Sequence, residues 1–183
     1  MTSRVVIVGS SVAGVRTAQA LRSQGYDGEV VLVGEETALP YDKPPLSKAL
    51  LAGTTDIAGV TLLTGDAAAA DRIELHLGHR ATAVDVAASQ VEFAEDEPLH
   101  YDHLVVATGA SARPSPWGQR PGIHVLRTLE DCLRLRADLV SGGRLVVVGG
   151  RIHRGRGRVN RTNARAAGRD HRSCAGTDEP GAR

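Results

Sequence analysis

The stretch Val5-Val6-Ile7-Val8-Gly9-Ser10-Ser11-Val12-Ala13-Gly14 decides the fold. Its first four residues are an unbroken β-branched run, the pattern of a strand buried on both faces of a parallel sheet. The run enters a glycine turn directly. From Val15 to Ser23, Val15, Ala18 and Leu21 fall on one helical face, while Arg16, Gln19, Arg22 and Gln24 lie largely outside it. Gly25 ends that helix. Val30-Val31-Leu32-Val33 follows as a second buried strand and stops at Gly34-Glu35-Glu36. A strand, a turn, a helix and a strand thus fit in the ~30 residues of a dinucleotide-binding unit.

The turn has the spacing G-x-G-x-x-G, with Ser11 in place of the middle glycine. Gly9 makes the tight turn, and Gly14 lets the helix pack against the strand. The middle position normally lets the backbone approach a pyrophosphate; serine is small, and its hydroxyl can donate to a phosphate oxygen. The helix N-terminus adds free N–H groups and a partial positive charge. Glu35, 21 residues beyond Gly14, is placed to accept hydrogen bonds from ribose hydroxyls. This unit by itself leaves FAD and NAD equally open, and a parallel α/β unit that binds no nucleotide has the same strand pattern.

Bulk properties set the outer limits. The chain has 183 residues, 42% hydrophobic but only 3% aromatic, so aliphatic side chains must fill its core. Its length suits one domain, or one domain and a fragment of another. A net charge of +1 argues against a dedicated nucleic-acid binder. The charge is uneven, because residues 151–183 contain nine Arg and no Lys. Cys132 and Cys174 form no C-x-x-C pair or metal-ligand cluster and read as thiols of a reducing compartment. With no signal-peptide pattern and no apolar run of the ~20 residues that span a bilayer, the expected location is the cytoplasm.

Past the first unit, Leu39-Pro40-Tyr41-Asp42-Lys43-Pro44-Pro45-Leu46-Ser47-Lys48 is held extended by its prolines, with Ser47 expected to cap a short helix through Leu51. Such an element can present Lys48 to a cleft, where an ammonium would stabilise negative charge on a reduced flavin. On residue type alone, a solvated lysine in a proline-rich loop fits as well. Residues 73–77, 82–86 and 91–93 read as a meander between two halves of the sheet. Leu104-Val105-Val106-Ala107 reads as another short buried strand, closing on Thr108-Gly109, where a small residue and a glycine let the backbone press against a cofactor. The fold class expected is α/β, a three-layer Rossmann-like domain over residues 1–115 with a small meander. A connection and the start of a second Rossmann unit would occupy 116–150.

The segments V-V-I-V-G-S-S-V-A-G and L-P-Y-D-K-P-P-L-S-K together resemble the ferredoxin reductase family, within the FAD-dependent pyridine nucleotide-disulfide oxidoreductases. Ala81-Thr82-Ala83-Val84-Asp85, Tyr101 to Gly109 and Leu126-Arg127-Thr128-Leu129-Glu130-Asp131 agree with it in order. The resemblance spans residues 4–150. It implies FAD as cofactor, NAD(P)H as hydride donor and a ferredoxin-like iron–sulfur protein as electron acceptor. It also implies that Gly9, Ser11, Ala13 and Gly14 contact the FAD pyrophosphate and Glu35 its ribose. Lys48 would stand beside the flavin ring with Pro45 nearby, and Lys43 is a weaker candidate there. The backbone at Ala81 would meet the adenine, Thr108 and Gly109 would line the cleft, and Arg127 would approach the FAD. No cysteine falls in residues 41–60, where disulfide reductases of the glutathione reductase kind carry a redox pair. Electrons would therefore leave the flavin singly for an iron–sulfur partner.

The resemblance breaks after Arg144-Leu145-Val146-Val147-Val148-Gly149-Gly150, which opens a second Rossmann unit. The family continues G-F-I-G-A-E-V-A, whereas this chain reads Arg151-Ile152-His153-Arg154-Gly155-Arg156-Gly157-Arg158-Val159. From Arg151 onward there is no Leu and no amphipathic period, so residues 151–183 are expected to be a disordered basic tail. Residues 151–159 can be encoded as CGG-ATT-CAT-CGG-GGC-CGA-GGT-CGC-GTC, a codon set chosen to fit the expected continuation. Dropping its first base gives GGA-TTC-ATC-GGG-GCC-GAG-GTC-GCG, which encodes G-F-I-G-A-E-V-A, so a frameshift at this point accounts for the tail. Other readings are a catalytically inactive truncated FAD-binding fragment, an NAD-dependent dehydrogenase, and a nucleic-acid-binding Arg-Gly tail on an inert domain.

Overall fold

The computed structural model describes residues 3–140, 142 and 144–148. The Arg-rich tail, Cys174 and the break after Gly150 lie outside the described residues. Arg4–Val8 forms β1, Val12–Ser23 forms α1 and Glu29–Gly34 forms β2. Ile73–Leu77 is β3, and His103–Val106 is the last strand of the sheet, β7, numbered after the three strands of the meander. These four strands pair in parallel in the order β3-β2-β1-β7.

Alternation in this sheet serves two cores at once. Val5, Ile7, Val30, Leu32 and Ile73 face one side, where they pack with Val15 and Ala18 of α1, Leu63, and Ala68 of the short helix α3, Gly65–Ala70. Val6, Val8, Val31 and Val33 face the other side and meet Val91 and Phe93. Those two belong to an antiparallel sheet of Ala81–Asp85 (β4), Gln90–Phe93 (β5) and Leu99–His100 (β6). Helices, parallel sheet and meander make the three layers. Each side chain so buried contributes about 1.5–3 kcal/mol relative to exposure, which favours an uninterrupted apolar run wherever both faces of the strand are covered.

Several local expectations change. Residues 73–77 are the outer strand of the parallel sheet, not part of the meander. The crossover is α3, with Thr64 Oγ1 accepting from the N–H of Ala67, and such a crossover returns the chain parallel to β2. Its Gly65-Asp66-Ala67-Ala68-Ala69-Ala70 sequence carries no apolar period, so no helix is legible there. Ser47 caps nothing: Pro44–Ser47 is a 3₁₀ turn, and Lys48 stands at the N-cap of α2, Ala49–Ala52, without a side-chain cap. Arg22, read as a solvent-facing residue of α1, donates to the carbonyls of Tyr26, Gly28, Asp71 and Arg72 at 2.7–2.8 Å. It thereby fastens the end of α1 to the start of β3. Val106, the last residue of β7, is 67% exposed rather than buried. Residues 144–148 form no strand, with Val146, Val147 and Val148 exposed.

Leu129–Val140 forms α4. It packs through Leu129 and Cys132 on Tyr41, Leu46, Leu50 and Val60, a satellite core beneath the proline-rich segment.

Candidate functional site

The carboxyl ends of the central strands converge on the glycine turn. The N–H of Gly9 donates to the Val33 carbonyl at 2.8 Å, and the N–H of Ala107 to the Val8 carbonyl at 2.7 Å. Gly9 has φ +122, and a Cβ there would collide with the Ala107 carbonyl. A Cβ at Gly14 would strike the carbonyl of Gly9, so α1 can sit this close to β1 only because that position is bare. Gly34 is likewise pressed against the Ser10 side chain. The glycines thus draw β1, β2 and β7 into one edge at which Gly9, Ser10, Gly34 and Ala107 touch.

Ser11, at the middle fingerprint position, has extended backbone (φ −105, ψ −165) and needs no glycine. It is the N-cap of α1, yet its hydroxyl makes no capping bond. Ala13 is exposed beside it. Among the described residues the first-turn N–H groups therefore have no side-chain acceptor, and they lie at the strand edge, which suits a phosphate. Glu35 follows β2 directly and is exposed, 3.7 Å from Arg80 Nε. Ala81 is the next residue, its backbone paired with Phe93.

Thr108 and Gly109 are exposed beyond β7, Gly109 with φ +69. The Arg127 guanidinium lies over Gly109 and donates from Nε to the Ala110 carbonyl at 2.7 Å. Asp131 fixes this arginine's backbone: its carboxylate accepts from the N–H groups of Arg127 at 3.0 Å and Thr128 at 2.9 Å. The Thr128 hydroxyl accepts in return from the N–H of Asp131, a reciprocal capping box at the start of α4. Burial pushes the Asp131 carboxyl up. The backbone donors of Thr128 and Arg127, the Thr128 hydroxyl and the Arg134 guanidinium outweigh this and leave it below the ordinary carboxylate range.

On the proline-rich segment, Lys48 is exposed, and its ammonium has no hydrogen-bond or ion-pair partner among the described residues. Pro45 is half-buried. Lys43 is committed inward, its ammonium 3.1 Å from Glu36 Oε1 and 3.2 Å from the Tyr41 hydroxyl. Tyr41 itself is buried, donates to Glu36 Oε2 at 2.6 Å and accepts from the N–H of Leu129 at 2.9 Å. Burial, and then the Glu36 carboxylate, push its phenol well above the ordinary value. Cys132 is buried and donates from Sγ to the Leu46 carbonyl at 3.1 Å.

Gly9, Ser11, Ala13, Gly14, Glu35, Thr108, Gly109 and Arg127 therefore stand along one strand edge, while Ala81 lies in β4 of the meander, next to the Arg80 that reaches Glu35. Pro45 and Lys48 lie on the turn whose Leu46 packs on α4, and among the described residues no contact joins them to that edge. Glu36, Tyr41, Arg80 and Asp131 also join the site, without standing out as site residues in the sequence. The Thr128-x-x-Asp131 spacing was a usable capping signal; a tyrosine tying two segments leaves no local pattern. Among the described residues no helix is long and apolar enough to cross a membrane, and no side-chain cluster suits a metal ion.

The profile of the pyridine nucleotide-disulphide oxidoreductases matches residues 3–152. The chain belongs to that family. Over 151 residues, this oxidoreductase-family chain is 44% identical to putidaredoxin reductase of Pseudomonas putida, covering 80% of this chain and 36% of that protein. It is 41% identical over 152 residues to the ferredoxin–NAD(+) reductase component of the biphenyl dioxygenase system of Paraburkholderia xenovorans, covering 82% and 37%. The crystal structure of the covalent putidaredoxin reductase–putidaredoxin complex superposes with a TM-score of 0.76 at 42% identity, over 81% of this chain and 37% of that one. The chain thus spans little more than a third of the length of the relatives it matches.

Proposed function

We propose that this chain carries the FAD-binding half of an NAD(P)H:ferredoxin-type oxidoreductase. In the whole reaction, hydride would pass from NAD(P)H to FAD, and electrons would pass on to an iron–sulfur protein in the cytoplasm. The observation that carries the reading is the strand edge from Glu35 through Gly9–Gly14 to Gly109 and Arg127. Acid, uncapped helix N-terminus and guanidinium succeed one another there in the order that ribose, pyrophosphate and flavin require. Bound FAD would supply the hydride and one-electron chemistry. The α1 terminus and Ser11 would hold the pyrophosphate, Glu35 would accept from ribose hydroxyls, the Ala81 backbone would meet the adenine, and Thr108 and Gly109 would admit the cofactor closely. Lys48 places positive charge beside the ring, with Pro45 shaping the approach. Lys43 serves that site indirectly, by anchoring Tyr41 and Glu36.

A second reading, a fragment that binds FAD without turning over, draws support from the exposure of Val146, Val147 and Val148. The family match also ends at residue 152, within two residues of the departure after Gly150. We attribute that departure to a frameshift; a gene sequence at codons 151–159 that does not yield the family motif in the shifted frame rejects it. For function, the purified chain is mixed with excess FAD, filtered and scanned in the visible range. Retained yellow flavin supports the FAD half-site, and bleaching by NADH would extend it to turnover. Colourless protein overturns the FAD reading for this chain.

A further inference from the structure

We propose that Tyr41 is a positioning residue whose hydroxyl holds the Pro44–Lys48 turn in register with the Arg127 end of α4. It would thereby set where the Lys48 ammonium stands relative to the flavin. The inference rests on the FAD reading above and adds to it a residue that makes no cofactor contact itself.

A phenolic hydroxyl offers one donor and two acceptor sites, and here all are used. It donates to Glu36 Oε2 and accepts from the Leu129 N–H and the Lys43 ammonium. The partners come from three places: the end of β2, the proline-rich segment and the first residue of α4. The first N–H groups of a helix lack internal acceptors. Asp131 accepts from the N–H groups of Arg127 and Thr128, just before α4, and Tyr41, from 88 residues away, accepts from that of Leu129, the first residue of the helix. Two residues before Leu129, the Arg127 side chain is bonded to Ala110 at the strand edge. Tyr41 is thus bonded to a residue two positions along the chain from Arg127, on the far side of the proposed flavin site.

The same turn is fastened again at its other end. Leu46 accepts from the Cys132 thiol, one turn further along α4. Lys48 follows two residues later, its N–H bonded back to the Pro45 carbonyl at 2.9 Å. With both attachments made, the turn cannot slide along α4, and the backbone bearing Lys48 is fixed although its ammonium has no partner among the described residues. The effect of a charge on a nearby ring falls steeply with distance, so a small shift of this turn changes what Lys48 does.

The test uses the whole chain loaded with FAD and compares Tyr41→Phe, Lys48→Gln and the double variant. The readout is the ratio of reduced to oxidised FAD affinity, taken from the flavin reduction potential by dye equilibration. Lys48→Gln should weaken relative binding of reduced FAD by about fivefold, the size of a screened unit charge near contact. Tyr41→Phe should move the ratio the same way by less, and add nothing in the Lys48→Gln background. Should Tyr41→Phe not fold, Glu36→Gln removes the same anchor more gently and should give the same pattern. A ratio unchanged by Tyr41→Phe, even with a lowered Tm, overturns the inference and leaves the FAD reading standing. A shift undiminished in the Lys48→Gln background overturns it equally. Wild-type chain that retains no FAD removes the FAD reading and this inference with it.

Discussion

Val5–Val8 and Leu145–Val148 are both short apolar runs that lead to a glycine. The first is at most 8% exposed, whereas Val146, Val147 and Val148 are 69–74% exposed. Intrinsic β preference does not separate them, since both are rich in valine. Neighbours do. β1 has β2 on one side and β7 on the other, α1 over one face and β5 over the other. No strand pairing reaches 144–148 among the described residues. Strand propensity mostly measures fit to a half-built surface, and a run without that surface stays unpaired.

The largest effect should come from the turn that closes the first run. Gly9→Ala forces a Cβ into the Ala107 carbonyl at a backbone conformation L-residues rarely adopt. Strain and overpacking together should cost about 4 kcal/mol, read by urea denaturation. A loss under about 1 kcal/mol would mean that β7 does not close on β1 as described.

The contrast between the runs can be measured directly. Ile7→Ala should cost about 3 kcal/mol as a buried large-to-small change. Val147→Ala should stay within about 0.5 kcal/mol, as an exposed substitution does. Comparable losses at the two positions would show that residues 144–148 find a partner in solution, for instance a second copy, and the contrast would collapse.

The first unit was legible because its signals are local: β-branched runs, a spaced glycine turn and an acid at the strand end all fall within residues 5–35. The segments carrying Lys48, Thr108, Gly109 and Arg127 were legible through motif order, and the fold brings the last three together at the edge. What stayed hidden depends on pairing across the chain. Residues 73–77 read as part of the meander because the crossover helix before them is an alanine run with no period. Arg22 looked like a surface cation because the carbonyls it serves are up to 50 residues away. Tyr41 looked like part of a rigid loop because its key acceptor role is toward Leu129, in another element.

Asp131 gives a smaller effect with a definite sign. Its carboxyl is held below the ordinary range in the folded chain, so its contribution is complete above the unfolded-state value and is lost as pH falls through the folded one. Asp131→Asn keeps the shape and removes the charge, and should lower stability by about 1 kcal/mol at neutral pH. The two proteins' stabilities should converge in acid, below the ordinary carboxylate range. A gap that persists unchanged there would mean the carboxylate charge is not what holds the backbone of Arg127.

The smallest effect should be at Ser11, the one fingerprint position that is not glycine. Its extended backbone suits any residue, and its hydroxyl makes no bond to the helix, so the fold does not depend on it. Ser11→Gly should cost about 0.5 kcal/mol, chiefly by freeing the unfolded chain. For FAD, two influences oppose each other: the glycine lets the backbone approach the pyrophosphate, and the lost hydroxyl removes a donor to it. Near-cancellation predicts an affinity within about threefold of wild type. A gain of about tenfold or more would show that the serine Cβ holds the phosphate away from the N-terminus of α1. An equal loss would make the hydroxyl the principal phosphate donor, and the α1 N–H groups the lesser part of this turn.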